Sequence, residues 1–508
     1  MIARSILYNL IGGVVTILLY LIVVPIQIRH LGIDAYGLLA FISTVQIIFS
    51  ICDFGLSTTL AREVAIDTTP ELRHTRTLLQ SLLLPYALVG MLLGVALIVA
   101  APWLARHWLA LGALPVETAQ ATLQLSGMAI ILRWPVSFLS AVLIGRGRFD
   151  LLNLLKIIAV IMLVAGGIVV ILRTGDLVAF AAWSALTGGI EVTLYLLACF
   201  RVLPHFSLRP RVSRTALAQI WQFARDVGII TVLATIILQS DRLMLSRLAP
   251  IEQVGYYALA YSIFAGLTLV QGFVTSVLLP AFAAGSQRGE TGELTRLFVW
   301  ASQGLVFMFM PAVAGLVFFG GDFLRVWTSA ETAAGSAPLL RIMAPAFLIS
   351  VTVGITSTLA IATGFTSFIV RVTAVGMVCY LPALYFAIRA WGPLGAACAW
   401  LTLNLATALA MAPLVSRLVV GTSWRQWMLR DILPLVIAGA AAFGLAREML
   451  HLAGWNSDTA IGGACLAAGL VYTVVGLRFL NADLRARLWQ SLGAACQLLL
   501  RSRLESSS

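Results

Sequence analysis

Arg133 stands in the middle of an apolar run, within Ile131-Leu132-Arg133-Trp134-Pro135. A cation placed mid-span costs roughly 2.5–3.5 kcal/mol on insertion scales, so its presence asks for a use. A guanidinium fork matches phosphate oxygens, and Pro135 opens the helix locally so that the fork can face something wet or anionic. The competing reading is a plain interhelical pair with a carboxylate. Three further arginines offer the same chemistry: Arg225 near the inner third of its segment, Arg62 at an inner end, and Arg341 near an outer end. For Arg341, snorkelling to the interface competes with function. The intramembrane acids are fewer. Glu191, flanked by Gly188 and Gly189, can pair with Arg133 or take up a proton. Asp53 can couple to an ion or hydrogen-bond a neighbouring helix. Asp241 and Arg242 are adjacent, so they point about 100° apart and form no simple salt bridge. They read as fixing an outer gate or the fold.

Other chemistry is missing from the sequence. There is no GxxxxGK(S/T) to cradle a nucleotide and no GxSxG elbow. The six cysteines include no CxxC, and the five histidines show no ligand spacing. These residues predict no catalytic residues, no metal site and no cofactor.

The elements that must position these groups are helices in a membrane. The chain has 508 residues, of which 60% are hydrophobic and 11% charged. Soluble domains carry roughly 25% charged residues. Fourteen runs are long enough to cross a bilayer, near 5–28, 36–61, 78–101, 118–145, 153–172, 177–200, 219–246, 254–283, 296–320, 336–363, 366–390, 393–416, 432–450 and 459–477. The first is too long, and too poor in small residues at its end, to be a cleaved signal. With the N-terminus inside, Lys and Arg favour the inner loops by about three to one. That bias predicts both termini in the cytoplasm and explains most of the net charge of +12 without a nucleic-acid partner. The longest loops, near 62–77 and 201–218, are too short for an extramembrane catalytic domain.

The chain also repeats itself. Arg29 and Arg247, Gly37 and Gly255, and Ala40 and Ala258 are 218 positions apart. Ser140 and Ser357, Gly175 and Gly392, and Trp183 and Trp400 are 217 apart. The expected organisation is an all-α polytopic protein with a six-helix half over 1–200, a basic linker over 201–218, and a second half over 219–416. An extra helix pair over 417–478 and an amphipathic cytoplasmic tail over 479–508 follow. Halves that both start inside are related by an axis along the membrane normal.

The stretches Asn9–Pro25, Leu31-Gly32, Tyr36-Gly37, Asp53-Phe54-Gly55-Leu56 and Asp241-Arg242 through Gly255-Tyr256-Tyr257 carry a family resemblance. The chain resembles the Wzx-type O-antigen and exopolysaccharide flippases of the MOP exporter superfamily over its whole length. The resemblance implies transport of an undecaprenyl-diphosphate-linked oligosaccharide from the inner to the outer leaflet of the bacterial inner membrane, for lipopolysaccharide or exopolysaccharide synthesis. It implies cavity cations on the diphosphate, a role that falls to Arg133 and Arg225, then Arg62 and Arg341. A proton or sodium gradient would act through Asp53, Glu191 or Asp241, with Arg242 beside the gate. A polysaccharide polymerase or glycosyltransferase is the partner the family suggests, and a monomer is expected. The alternatives are a multidrug cation antiporter and a lipid II flippase on the same fold.

Overall fold

In the computed structural model, the described residues are 2–67, 73–203, 232, 235–289, 291–418, 423–455 and 457–486. They are helical, with one isolated bridge between Ala110 and Pro250 as the extended contact among them. We label α1 Ile2–Leu31, α2 Ile33–Phe49, α3 Leu56–Ile66, α4 Arg73–Trp103, α5 Val116–Gly145, α6 Phe149–Ile161, α7 Gly167–Thr174 and α8 Leu177–Val202. Then follow α9 Ile251–Gln287, α10 Thr291–Trp327, α11 Ala330–Ala362, α12 Thr366–Leu418, α13 Leu433–Ala453 and α14 Asp458–Phe479. Among the described residues, eleven helices are long and apolar enough to cross a membrane. At about 1.5 Å per residue, the 30-residue α5 measures about 45 Å, well beyond a hydrocarbon core of about 30 Å. The spans expected at 366–390 and 393–416 form the single run α12, in which Gly392 leaves helical geometry at φ 56 and ψ −133.

The expectation of one continuous span over 36–61 is corrected. That stretch is broken. After α2 the backbone tightens into a 3-10 turn, Ser50–Asp53, then takes two left-handed residues, Phe54 at φ 46 and Gly55 at φ 71, before α3 begins. Phe54 is the one non-glycine residue at positive φ among those described. The local cause is Asp53, whose carboxylate accepts from Ser57 Oγ at 2.7 Å and from Ser57 N at 3.3 Å. Such a side chain offers the backbone an alternative to the helical ladder, and Gly55 allows the turn at little steric cost.

The described chain divides into two compact units. One comprises Met1–Ser262, Trp327–Gly335 and Leu381–Ala396, the other Ile263–Val326, Ser336–Tyr380 and Ala397–Ser508. In the first unit, α3, α4, α5 and α8 close around buried Leu60, Leu82, Tyr86, Phe138, Val142 and Tyr195. Glycines let the backbones approach: a Cβ at Gly127 would stand 2.7 Å from Gly94 O, and one at Gly145 would stand 2.6 Å from Ala61 O. Close approach of this kind replaces the hydrophobic drive that lipid removes.

Also inside the first unit, α2 and α9 cross at backbone distance. A Cβ on Gly37 would run into Ile251 O, and a Cβ on Gly255 would stand 2.5 Å from Ile33 O. Ile33 and Ile251 are themselves 218 apart, as are the two glycines. The contact is therefore reciprocal.

In the second unit, α10 is fastened at two places to the helix pair α13–α14 and the short turn before it. At one end Trp427 Nε1 donates to Ser302 Oγ at 3.0 Å, and Gln303 Nε2 donates to Asp431 Oδ1 at 3.0 Å. At the other end Arg447 pairs with Asp322 at 2.7 Å and Arg325 with Asp458 at 2.6 Å. Between them Gly439 makes room for Met310, and Phe307 stacks on Tyr472 with centroids 5.5 Å apart.

Candidate functional site

The site is built on α5 and α8. Arg133 Nε donates to Glu191 Oε2 at 2.9 Å. The Glu191 side chain is 10% exposed and that of Arg133 is 40% exposed. Glu191 therefore fixes the stem end of the guanidinium, while Nη1 and Nη2 donate to no described residue. A charge-assisted pair of this kind holds the fork without consuming its terminal donors. Room for the arginine stem comes from Gly188, one turn before Glu191 on α8. A Cβ there would stand 2.5 Å from Arg133 Cγ. On α5, Ser137 and Ser140 follow Arg133 at four and seven positions, so the three share one face. Beside this face, Leu132, Leu186, Ile190 and Leu194 line an apolar groove.

One turn along the same face lies a second polar node. Ser57 Oγ, bound to Asp53, stands 3.2 Å from Ser137 Oγ and 3.4 Å from Tyr86 OH. Tyr86 packs against Trp134 and Phe138 with ring centroids 5.3 and 5.0 Å apart. The broken helix thus carries a carboxylate to the α5 stripe that also bears Arg133. The other expected residues lie elsewhere. Arg62 is exposed and pairs with its neighbour Glu63 at 3.1 Å. Arg341 is exposed on α11. Asp241 is buried and accepts from Tyr257 OH at 2.6 Å, while the Arg242 guanidinium lies 3.8 Å over the Tyr261 ring. That phrase folds back on itself as a helical hairpin. Arg225 falls outside the described residues. Among the described residues no group of acids, histidines and cysteines is arranged to hold a metal.

The family model of the polysaccharide biosynthesis proteins matches residues 2–286, more than half of the chain. The chain belongs to the polysaccharide biosynthesis protein family. Among solved structures it is similar to the lipid II flippase MurJ in an inward closed conformation, at 14% identity and a TM-score of 0.70, over 93% of this chain and 98% of that one. It is also similar to an inward-facing multidrug resistance MATE family transporter of the MOP superfamily, at 15% identity and a TM-score of 0.60, over 89% and 96%. At these identities the likeness is one of fold. No curated protein sequence matches the chain.

Three residues of this polysaccharide biosynthesis protein escaped the sequence reading. Gly188 was visible only as a flank of Glu191, because the stem it admits comes from another helix. Ser137 and Ser140 are polar at helical spacing from Arg133, a signal that was present in Arg133-Trp134-Pro135-Val136-Ser137.

Proposed function

We propose that this protein is a flippase that moves a lipid-diphosphate-linked oligosaccharide from the inner to the outer leaflet of the bacterial inner membrane. The observation that carries the reading is Arg133: a mid-span guanidinium anchored at Nε by buried Glu191, with its outer nitrogens uncommitted. A fork held this way suits a diphosphate, which needs fixed donors more than a catalytic group. The adjacent Ser137 and Ser140 give neutral hydroxyls for sugar or phosphate oxygens. The apolar groove beside them lets the lipid tail stay in hydrocarbon while the headgroup crosses. The family match and the MurJ-like fold support the same reading. In this scheme two six-helix halves rock about the site, the α13–α14 pair is an addition, both termini are cytoplasmic, and one chain suffices. Arg225, Arg62 and Arg341 extend the cationic path. A proton or sodium gradient supplies the direction, and a polymerase or glycosyltransferase works with the flippase.

A second reading, a cation antiporter on the same fold, draws support from the Asp53 node, where a carboxylate and three hydroxyls converge. One experiment separates the two. In the native host, Arg133→Ala should abolish surface polysaccharide, accumulate the lipid-linked precursor, and leave the amount of protein in the membrane unchanged. Normal glycan in that variant would sink the headgroup role. Intact glycan after gene deletion, with new sensitivity to cationic drugs, would favour the antiporter.

A further inference from the structure

The end of α1 and the turn that joins α10 to α11 complete each other's backbones. Pro25 lies inside α1 and has no N–H, so it cannot donate to Leu21 O, four residues before it. Trp327 Nε1, from the last residue of α10, donates to that carbonyl at 2.9 Å. The last carbonyls of a helix likewise lack an intrahelical donor, and they carry the negative end of its dipole. At the end of α10 it is Arg29, one turn after Pro25, that meets them. Its Nε donates to Thr328 O at 2.7 Å and its Nη2 to Trp327 O at 3.3 Å. Each side therefore gives a side-chain donor to a carbonyl that has lost its helical one on the other side.

The grip falls on a short turn. Thr328 and Ser329 alone separate α10 from α11, and Ser329 Oγ accepts from Thr332 N at 3.2 Å to start α11. Trp327–Gly335 lies in the first unit, whereas the rest of α10 and of α11 lies in the second. Both the indole bond and the Nη2 bond are exposed, so water can compete for them. The crossing of α2 and α9 is of another kind, sealed by backbone packing at Gly37 and Gly255. The stretch 218 positions on shows what is particular here. Arg247 stands in the place of Arg29, with its guanidinium 5.9 Å from the Trp108 ring. Leu243 stands in the place of Pro25 and keeps its N–H. Trp108 Nε1 there donates to the Ser246 hydroxyl at 3.1 Å, and no proline has freed a carbonyl for it.

We propose that Arg29 and Trp327 form a releasable latch. While both exchanges stand, the α10–α11 turn is held on α1, and loss of either lets the turn move away from it. Exposed hydrogen bonds of modest net strength suit a contact that opens and re-forms repeatedly, as a buried apolar seam does not. The latch itself concerns the protein alone. Its part in transport rests on the flippase reading, in which this end of α1 faces outward and release of the turn opens the outer side.

The test uses the full chain in nanodiscs, with the six native cysteines replaced by alanine and no substrate added. Spin labels are placed on His30→Cys and Ala330→Cys, both exposed positions beside the latch. Pulsed electron–electron double resonance then reads the distribution of distances between them. Trp327→Phe removes the indole N–H and keeps a ring. It should raise the share of longer distances about fivefold. Arg29→Met removes the charged donors and keeps most of the stem, and it should raise that share about tenfold or more. Arg29→Gln serves if that variant does not reach the membrane. Pro25→Ala returns an N–H to α1 that competes for Leu21 O. It should lengthen distances when Trp327 is present and add nothing in the Trp327→Phe protein. A distribution left unchanged by either the Trp327 or the Arg29 substitution overturns the proposal. So does a Pro25→Ala effect, including none, that is the same in both backgrounds. Failure of the Arg133→Ala experiment leaves these distances untouched, so the two readings can fall separately.

Discussion

Stretches of the sequence that lie 217 or 218 positions apart agree at some places and differ at others. In the first half, α5 and α8 carry Arg133, Gly188 and Glu191. At 217 positions further on, α11 and α12 carry Ser350, Leu405 and Ala408. The broken helix shows the same contrast. Asp53, Phe54 and Gly55 break the first copy, whereas Gln271, Gly272 and Phe273, 218 further on, lie within the unbroken 37-residue α9. Gln271 Nε2 reaches Ser350 O at 3.5 Å, so a neutral contact stands where the first half places Asp53 and its hydroxyls. Where helices touch backbone to backbone, at Gly37 and Gly255, the copies agree. Where they meet through polar side chains, they have parted. Tight packing leaves no room for a side chain at either glycine, while a polar position can vary, so one stretch bears charge where the stretch 217 positions on is neutral.

The largest expected effect comes from moving the charge. A protein carrying Arg133→Ser and Ser350→Arg keeps the composition and loses the anchoring carboxylate, since position 408 is alanine. Surface glycan should fall to background, because the relocated guanidinium has no partner and burying it alone costs several kcal/mol. Restored glycan would show that the two halves are interchangeable and would break the comparison. A smaller effect follows from Gly188→Ala, whose Cβ displaces the Arg133 stem. Transport should drop roughly tenfold with normal protein levels, whereas Leu405→Ala, at an exposed position, should leave it unchanged. The smallest effects concern the break. Gly272 has open space around it, so Gly272→Ala should raise the melting temperature in detergent, worth about 0.5–1 kcal/mol. Phe54→Gly should relieve left-handed strain of similar size. A loss of stability in either variant would mean that the two backbones are held by contacts other than those described.

Much of this was legible from residue types alone. The membrane class and the family follow from apolar runs and a few phrases. Glu191 stands out in the sequence as an available partner for Arg133 because few acids lie in the spans. The break at Asp53 was not legible, because hydropathy averages over a segment and a single Asp-Phe-Gly scarcely lowers it. The echo of Arg29–Val45 in Gln239–Phe264 was plain as a repeat. Its meaning, two backbones in mutual contact at Gly37 and Gly255, requires knowing which helices cross. Gly188 illustrates the same limit: an absent side chain leaves no trace in sequence of the arginine that fills its place.

The two fastenings of α10 have a mechanical consequence. One attachment would let the α13–α14 pair pivot. Two, at Ser302–Gln303 and at Asp322–Arg325, remove that rotation and make α10 and the pair a single lever. The pair exposes Leu445, Met449, Leu452, Leu466 and Leu470 along its length. Any excursion of α10 must therefore drag this broad apolar surface through the surrounding lipid. The viscosity of the bilayer, as well as the height of an internal barrier, then sets how fast that lever can swing.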